Sequence, residues 1–391
     1  MAPLRILTAG ESHGKALVGI LEGMPSGLRL DREKIDEQMR RRQSGIGRGS
    51  RMQIEADRVE FLSGLRFGET LGTPIAVLVR NRDWENWKTR MDAWSGKDDD
   101  PVHVPRPGHA DLAGALKYGF QDLRNVLERA SARETAVRVA LGSVIRQLME
   151  NFGVWIGSQV IRIHSAAVEK TFRGLFDAAS KDAEMEILKM AALSEASELR
   201  CAETRAEELM KEAIREAAEA GDSVGGLFEV VAMNVPPGLG SHVTWDRRLD
   251  AGIAAAFMGI PAVKSVEIGL GSEAAGRRGS EMHDALRPGD SRPVRPTNRA
   301  GGIEGGISNG EPILVRAAMK PIPTLKKPLP SVDLSTGEPT DAHHERSDVC
   351  AVPSACVVGE AMLAIALGQA FMERFGGDTM DHIRKRFDEC R

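Results

Sequence analysis

Arg129-Ala130-Ser131-Ala132-Arg133-Glu134-Thr135 is the stretch on which the reading of the fold turns. Ser131 and Glu134 stand in the S-x-x-E relation of a capping box. Behind them Val137, Leu141, Val144, Leu148 and Phe152 recur at spacings of three and four, the stripe of a buried helix face. The spacing predicts a helix from Ser131 to about Asn151, stopped by Gly153. Its first turn would offer free backbone N–H groups and the positive end of the helix dipole. Arg129 and Arg133 would bracket that turn with fixed cations. Such a helix start is a natural seat for an anion; the plainer alternative is a capped helix with surface arginines.

A second apolar helix lies near the C-terminal end. Arg346-Ser347-Asp348-Val349-Cys350 leads to Pro353, a good first helical residue, and the run to about Phe371 is apolar on nearly every side. A helix without a polar face belongs between two layers. Strands are expected at Arg5 to Ala9, Ala16 to Glu22, Pro74 to Val79, Val154 to Ile163, Leu227 to Val235, Val263 to Leu270 and Ile313 to Met319. Met52, Ile54 and Ala56, then Val59 and Phe61, alternate with polar residues as an antiparallel pair would. Asp31 reads as the cap of a short helix to Arg42, and Asp246 as the cap of one carrying Leu249, Ile253 and Phe257. Asn81 to Asp100, with Trp84, Trp87 and Trp94, reads as a long loop. The expected fold is α+β, a β-α-β sandwich with central helices between antiparallel sheets. The chain, residues 1–391, reads as one domain with peripheral helices at about 183–220 that carry no evident chemistry.

The composition narrows the function. The chain is 42% hydrophobic and 28% charged, with a net charge of −4. No global basic field invites nucleic acid or an anionic membrane, so any positive site must be local. Four cysteines are too few for a disulfide framework in 391 residues. No leader sequence is evident at the start and no apolar run is as long as a membrane span, so the cytoplasm is the expected compartment. His343 and His344 are adjacent without partners at ligand spacing, so no metal site is expected.

Three constellations could carry chemistry. Gly10-Glu11-Ser12-His13-Gly14 has the letters of the G-x-S-x-G nucleophile elbow of serine hydrolases, but β-like residues follow it where an elbow needs a helix. His13 in that turn is better placed as an acid. Arg42, Arg48 and Arg51 flank the glycines of Gly45 to Gly49, and guanidinium forks match phosphate and carboxylate in pairs. No Walker-type phosphate loop is present. His109 follows Pro107-Gly108 at a helix start, poised for proton transfer, and Asp348 stands close to Arg346. These residues suit a polyanionic ligand and proton transfer without naming a reaction. A polyanion-binding protein without catalysis would share the arginines, yet it lacks the interleaved aromatics expected of a nucleic-acid binder.

At these residues the sequence resembles chorismate synthases. The family's signature regions match Gly10 to Gly14, Arg129 to Thr135 and Arg346 to Pro353; Pro105 to Asp111 and Asn298 to Gly310 also fit. The resemblance implies a 1,4-anti elimination of phosphate from 5-enolpyruvylshikimate-3-phosphate to give chorismate, the last step of the shikimate pathway. It implies reduced FMN with no net redox change, and a homotetramer. Flavin would be reduced by an outside flavin reductase or, in a bifunctional enzyme, by NADPH. Carried over by matching positions, His13 would protonate the leaving phosphate and His109 would serve the reduced flavin. Asp348 would help remove the C6 proton. Arg42, Arg48, Arg51 and Arg133 would hold substrate, with Arg42 and Arg48 serving NADPH instead in the bifunctional case. FMN would meet Arg129, Ala130, Ser131, Pro261, Ala262, Gly305, Lys320, Pro321, Ile322, Pro323, Thr324 and Arg346. Pro261 departs from the family pattern, which more often has an amide side chain there.

Overall fold

A computed structural model describes residues 4–47, 57–95, 100–178, 182–290, 293–345 and 347–390. Arg48, Arg51, Arg346 and the expected strand at Met52 to Ala56 lie outside them.

The alternation of the first strands has a direct consequence. Leu17, Gly19 and Leu21 of Ala16–Glu22 and Ile75, Val77 and Val79 of Ile75–Arg80 all point inward. With Arg5–Ala9 and Val59–Phe61 these strands make a four-stranded antiparallel sheet. Helix Thr135–Glu150 lies on its inner face, the Val137–Leu148 stripe fully buried. Gly19 permits the approach, since a Cβ there would lie 2.9 Å from Leu141 Cδ1.

Helix Val352–Phe375 packs on the other side of Thr135–Glu150. It is long and apolar enough to cross a membrane, contrary to the expectation that no such run exists; Glu360 and Gln369 interrupt the apolar letters and conceal it. Most of it is buried in the protein core, which is where a helix without a polar face belongs. Beyond it a second antiparallel sheet is built from Val263–Ile268, Ile313–Met319, Gly226–Met233, Trp155–Ile163 and Ala166–Ala167, in that order. The expected sandwich is therefore the observed one, and its core runs from Leu4 to Phe387.

Gly226–Met233 shows why the second sheet reads as near-continuous apolar sequence. Phe228, Val230 and Ala232 face the central helices, whereas Val231 and Met233 face outward under Phe172, Phe176 and Ile187. Helices Phe172–Asp177 and Ala183–Ala196 thus cover the sheet's outer face. The peripheral stretch is not chemically empty. Glu195 and Arg200 reach into a buried ion network around Glu360.

Three local expectations change. Ser131 caps a 3-10 turn, Ala132–Glu134, and the long helix starts at Thr135; a separate helix, Arg124–Ala130, precedes it. Glu134 does not close a capping box, because its Oε1 accepts from Arg138 Nε at 2.7 Å. Asp246 sits in a 3-10 turn, and Arg248 stands at the start of helix Leu249–Met258.

Candidate active site

Both central helices begin beside one cavity of about 700 Å³. Ala132, Arg133 and Thr135 reach it from one helix start, and Ala351, Ser354 and Ala355 from the other. The positive ends of two helix dipoles therefore favour an anion there. Three of the N–H groups expected to be free after Ser131 are already taken. Arg133 N–H donates to Ser131 Oγ at 3.3 Å, Glu134 N–H to the Ser131 carbonyl, and Thr135 N–H to Ala132. The seat is built from guanidiniums instead.

Arg42 and Arg133 come from helix Arg32–Gln43 and from the turn after Ser131, and the buried carboxylate of Asp57 joins them. Arg42 Nη2 donates to Asp57 Oδ2 at 2.5 Å and Arg133 Nη1 to Oδ1 at 2.6 Å. Burial alone would raise the Asp57 pKa, but the two guanidiniums outweigh it and hold the carboxyl below its ordinary value. Arg133 Nε also donates to Asn81 Oδ1 at 2.9 Å, and Asn81 Nδ2 donates to the Gly14 carbonyl at 2.7 Å. The arginine is thereby tied to the turn that carries His13.

Each histidine rests against a buried carboxylate. His13 Nδ1 lies 2.8 Å from Glu128 Oε1, and the ring stacks on Trp87 with centroids 4.0 Å apart. His109 Nδ1 lies 2.5 Å from Asp111 Oδ1, and Arg106 Nε donates to Asp111 Oδ2 at 2.8 Å. Burial opposes ionisation of Asp111, yet the hydrogen bonds from His109 and Arg106 hold its carboxyl well below the usual range. Arg106 Nη1 donates to Thr324 Oγ1 at 2.8 Å, and Ser347 Oγ donates to the Thr324 carbonyl at 2.8 Å. These bonds join the His109 turn to the segment that bears Asp348.

The cavity unites most of the residues singled out in the sequence. His13, His109, Asp348, Arg42, Arg133, Ala130, Ser131, Pro261, Ala262, Lys320, Ile322, Pro323 and Thr324 all line it. Pro261 and Ala262 form one wall, Ala262 with a φ of 67°, a left-handed conformation rare for a residue with a Cβ. Lys320 Nζ donates to the Gly108 carbonyl.

Three expected contacts are not brought there. Arg129 turns away from the cavity and donates to the Thr8 and Gly10 carbonyls at 2.9 and 3.0 Å, bracing the first turn from behind. Gly305 sits in the turn of the Ile303–Glu304 and Ile307–Ser308 hairpin, outside the cavity lining. Pro321 is exposed and lies outside the lining between Lys320 and Ile322, which do line it. The Gly10–Gly14 turn joins two antiparallel strands, so it is no nucleophile elbow.

Sequence reasoning missed Trp87, Asp57, Glu128 and Asp111. Asp111 stands two residues after His109, and Glu128 one turn after Arg124, so both had a local signal. Asp57 had none, because its partners lie 15 and 76 positions away.

A family model described as chorismate synthase matches residues 4–372. A chorismate synthase of Aquifex aeolicus is 54% identical over 390 residues, covering 99% of this chain and 97% of that protein. One from Trichlorobacter lovleyi is 51% identical over 395 residues, covering 98% of each. A solved structure titled as the crystal structure of chorismate synthase superposes with a TM-score of 0.79 at 45% identity, covering 100% of this chain and 97% of the other.

Proposed function

Because the chain belongs to the chorismate synthase family, we propose that it is a lyase converting 5-enolpyruvylshikimate-3-phosphate to chorismate. The reaction is a 1,4-anti elimination of phosphate with reduced FMN as cofactor and no net redox change. The observation that carries this reading is the convergence of His13, His109, Asp348, Arg42 and Arg133 on one cavity of about 700 Å³. That volume falls in the range of small-molecule sites.

The lining suits two anionic ligands with flat faces. Arg42, Arg106, Arg124, Arg133 and Lys320 supply cations, while Ala130, Ile260, Pro261, Ala262, Met319, Ile322 and Pro323 supply apolar walls. The substrate carries a phosphate and two carboxylates, and FMN adds a phosphate, which explains local arginines in a chain of net charge −4. Reduced FMN, when bound, supplies the electron density that lets the C3–oxygen bond break.

The protein's own groups manage charge and protons. Arg42 and Arg133, locked by Asp57, grip the substrate's anionic groups without reorganising. His13 gives a proton to the departing phosphate, as a positioned general acid. Asp348 accepts the proton lost from C6. His109, fixed through Asp111, holds a proton toward the flavin. We further place the working protein in the cytoplasm as a homotetramer. Leu7 and Ile20, exposed on the outer face of the first sheet, support assembly by offering apolar surface for another copy to cover.

The test is anaerobic incubation with the phosphorylated substrate and chemically reduced FMN, following phosphate release and chorismate absorbance. One phosphate per chorismate with the flavin still reduced supports the reading; absence of chorismate overturns it. NADPH oxidation by the protein alone, with FMN present, would make it bifunctional; without it the flavin is reduced by an outside reductase.

A further inference from the structure

Glu128 makes three contacts with the turn that holds His13. Its carbonyl accepts from Ser12 N–H at 3.0 Å, its Oε2 from His13 N–H at 2.7 Å, and its Oε1 lies 2.8 Å from His13 Nδ1. The Glu128 side chain is fully buried, whereas His13 keeps 13% of its surface exposed at the cavity. An ionised carboxylate can only accept, so Nδ1 must carry the hydrogen. Proton exchange with a ligand then falls to Nε2. The Trp87 ring, stacked at 21° to the imidazole, restrains the remaining rotation.

Charged groups crowd the far side of Glu128. Arg124 Nη1 lies 3.6 Å from the same Oε1, and its guanidinium sits over the Trp87 ring at 4.9 Å. Arg90 approaches that ring at 5.8 Å, and Asp83 accepts from the Trp87 indole N–H at 3.2 Å. Behind Arg124, Glu345 pairs at 3.4 Å, its carboxyl drawn down to about 2 against the opposing effect of burial by His343, Arg106 and Arg124.

We propose that Glu128 is a positioning residue for the proton donor: it fixes His13 in the Nδ1–H form and stabilises the imidazolium that delivers a proton from Nε2. The proposal rests on the reading of His13 as the acid. As the C3–oxygen bond breaks, its electron pair leaves on the phosphate oxygen and the Nε2 proton passes to that phosphate. Water restores the proton to the neutral ring. The logic is that of a buried aspartate behind a catalytic histidine, where losing the charge while keeping the shape is costly.

Glu128→Gln tests it. Turnover should fall by about 10²-fold with a much smaller change in KM, and the alkaline limb of the pH–rate profile should move to lower pH. A second readout does not depend on turnover. Diethylpyrocarbonate attacks neutral imidazole, so carbethoxylation of His13 at pH 6.5, resolved by peptide mass, should run several-fold faster in Glu128→Gln than in the parent protein. Glu128→Asp keeps the charge, and it should keep the alkaline limb while losing turnover through the shorter reach; it also serves where the glutamine variant fails to fold. Unchanged carbethoxylation and an unchanged pH profile in Glu128→Gln would overturn the proposal. Full activity of His13→Ala would instead overturn the role of His13, leaving the carbethoxylation result to decide whether Glu128 holds the ring.

Discussion

Three successive arginines meet three fates. Arg40 is exposed and pairs with Glu37, Arg41 is buried against Glu360 and Glu195, and Arg42 is buried against Asp57 at the cavity. Each step along a helix turns the side chain by about 100°, so one run of like charge is divided among solvent, core and site. The sequence marked Arg42 for an anion, but the carboxylate that holds it was invisible because the pairing is long-range. The histidines were legible because glycine and proline around them mark turns. Arg129 was expected beside Ala130 at the cavity, yet Ala130 lines it while Arg129 faces Gly10. At this scale the first prediction is that His13→Ala and His109→Ala each lower turnover about 10²–10⁴-fold with reduced FMN, measured as chorismate absorbance. Near-parental rates in both would refute the proton-transfer roles. Arg133→Ala should weaken retention of substrate and of flavin together, measured by equilibrium binding; unchanged affinity for both would remove the arginine seat.

At the scale of elements, the two central helices depend on close approach. Gly142 faces Ala361, and a Cβ at 142 would lie 2.7 Å from Ala361 Cβ. Gly142→Ala should therefore destabilise the protein by about 1–3 kcal/mol through overpacking, read as a lower denaturant midpoint. A midpoint equal to or above the parent's would show that the helices can separate freely. Glu360 secures the second helix to its surroundings, taking Arg41, Arg146 and Arg200 at 2.7, 2.6 and 3.3 Å. Burial penalises its charge, yet the three guanidiniums hold its carboxyl far below the ordinary range. A depressed folded-state pKa means that this stabilisation is present above the unfolded value, about 4.3, and is lost as pH falls through the depressed one. Glu360→Gln should cost about 3–5 kcal/mol at pH 7 by stranding buried cations, and its deficit should shrink as the pH is lowered from 5 to 3. A deficit independent of pH would contradict the ionised state. The helices themselves were readable from spacing, since apolar periodicity of that length has few alternatives. Their boundaries were not, because Ser131 caps a short turn as readily as a long helix.

At the scale of the molecule, the sandwich was legible in two facts: helices without polar faces and strands that alternate. The extra helical layer was legible as helix but not as cover for a sheet, since nothing local says that Val231 and Met233 need a roof. The layers bring residues from Ser12 to Val358 around one cavity, with the two central helix starts at its wall. A crystal structure with FMN and 5-enolpyruvylshikimate-3-phosphate both bound would show whether that convergence serves one reaction. Both ligands should lie in the cavity between Arg133 and Lys320, with the substrate phosphate within hydrogen-bond reach of His13 Nε2. Ligands in separate cavities, or a phosphate remote from His13, would contradict it.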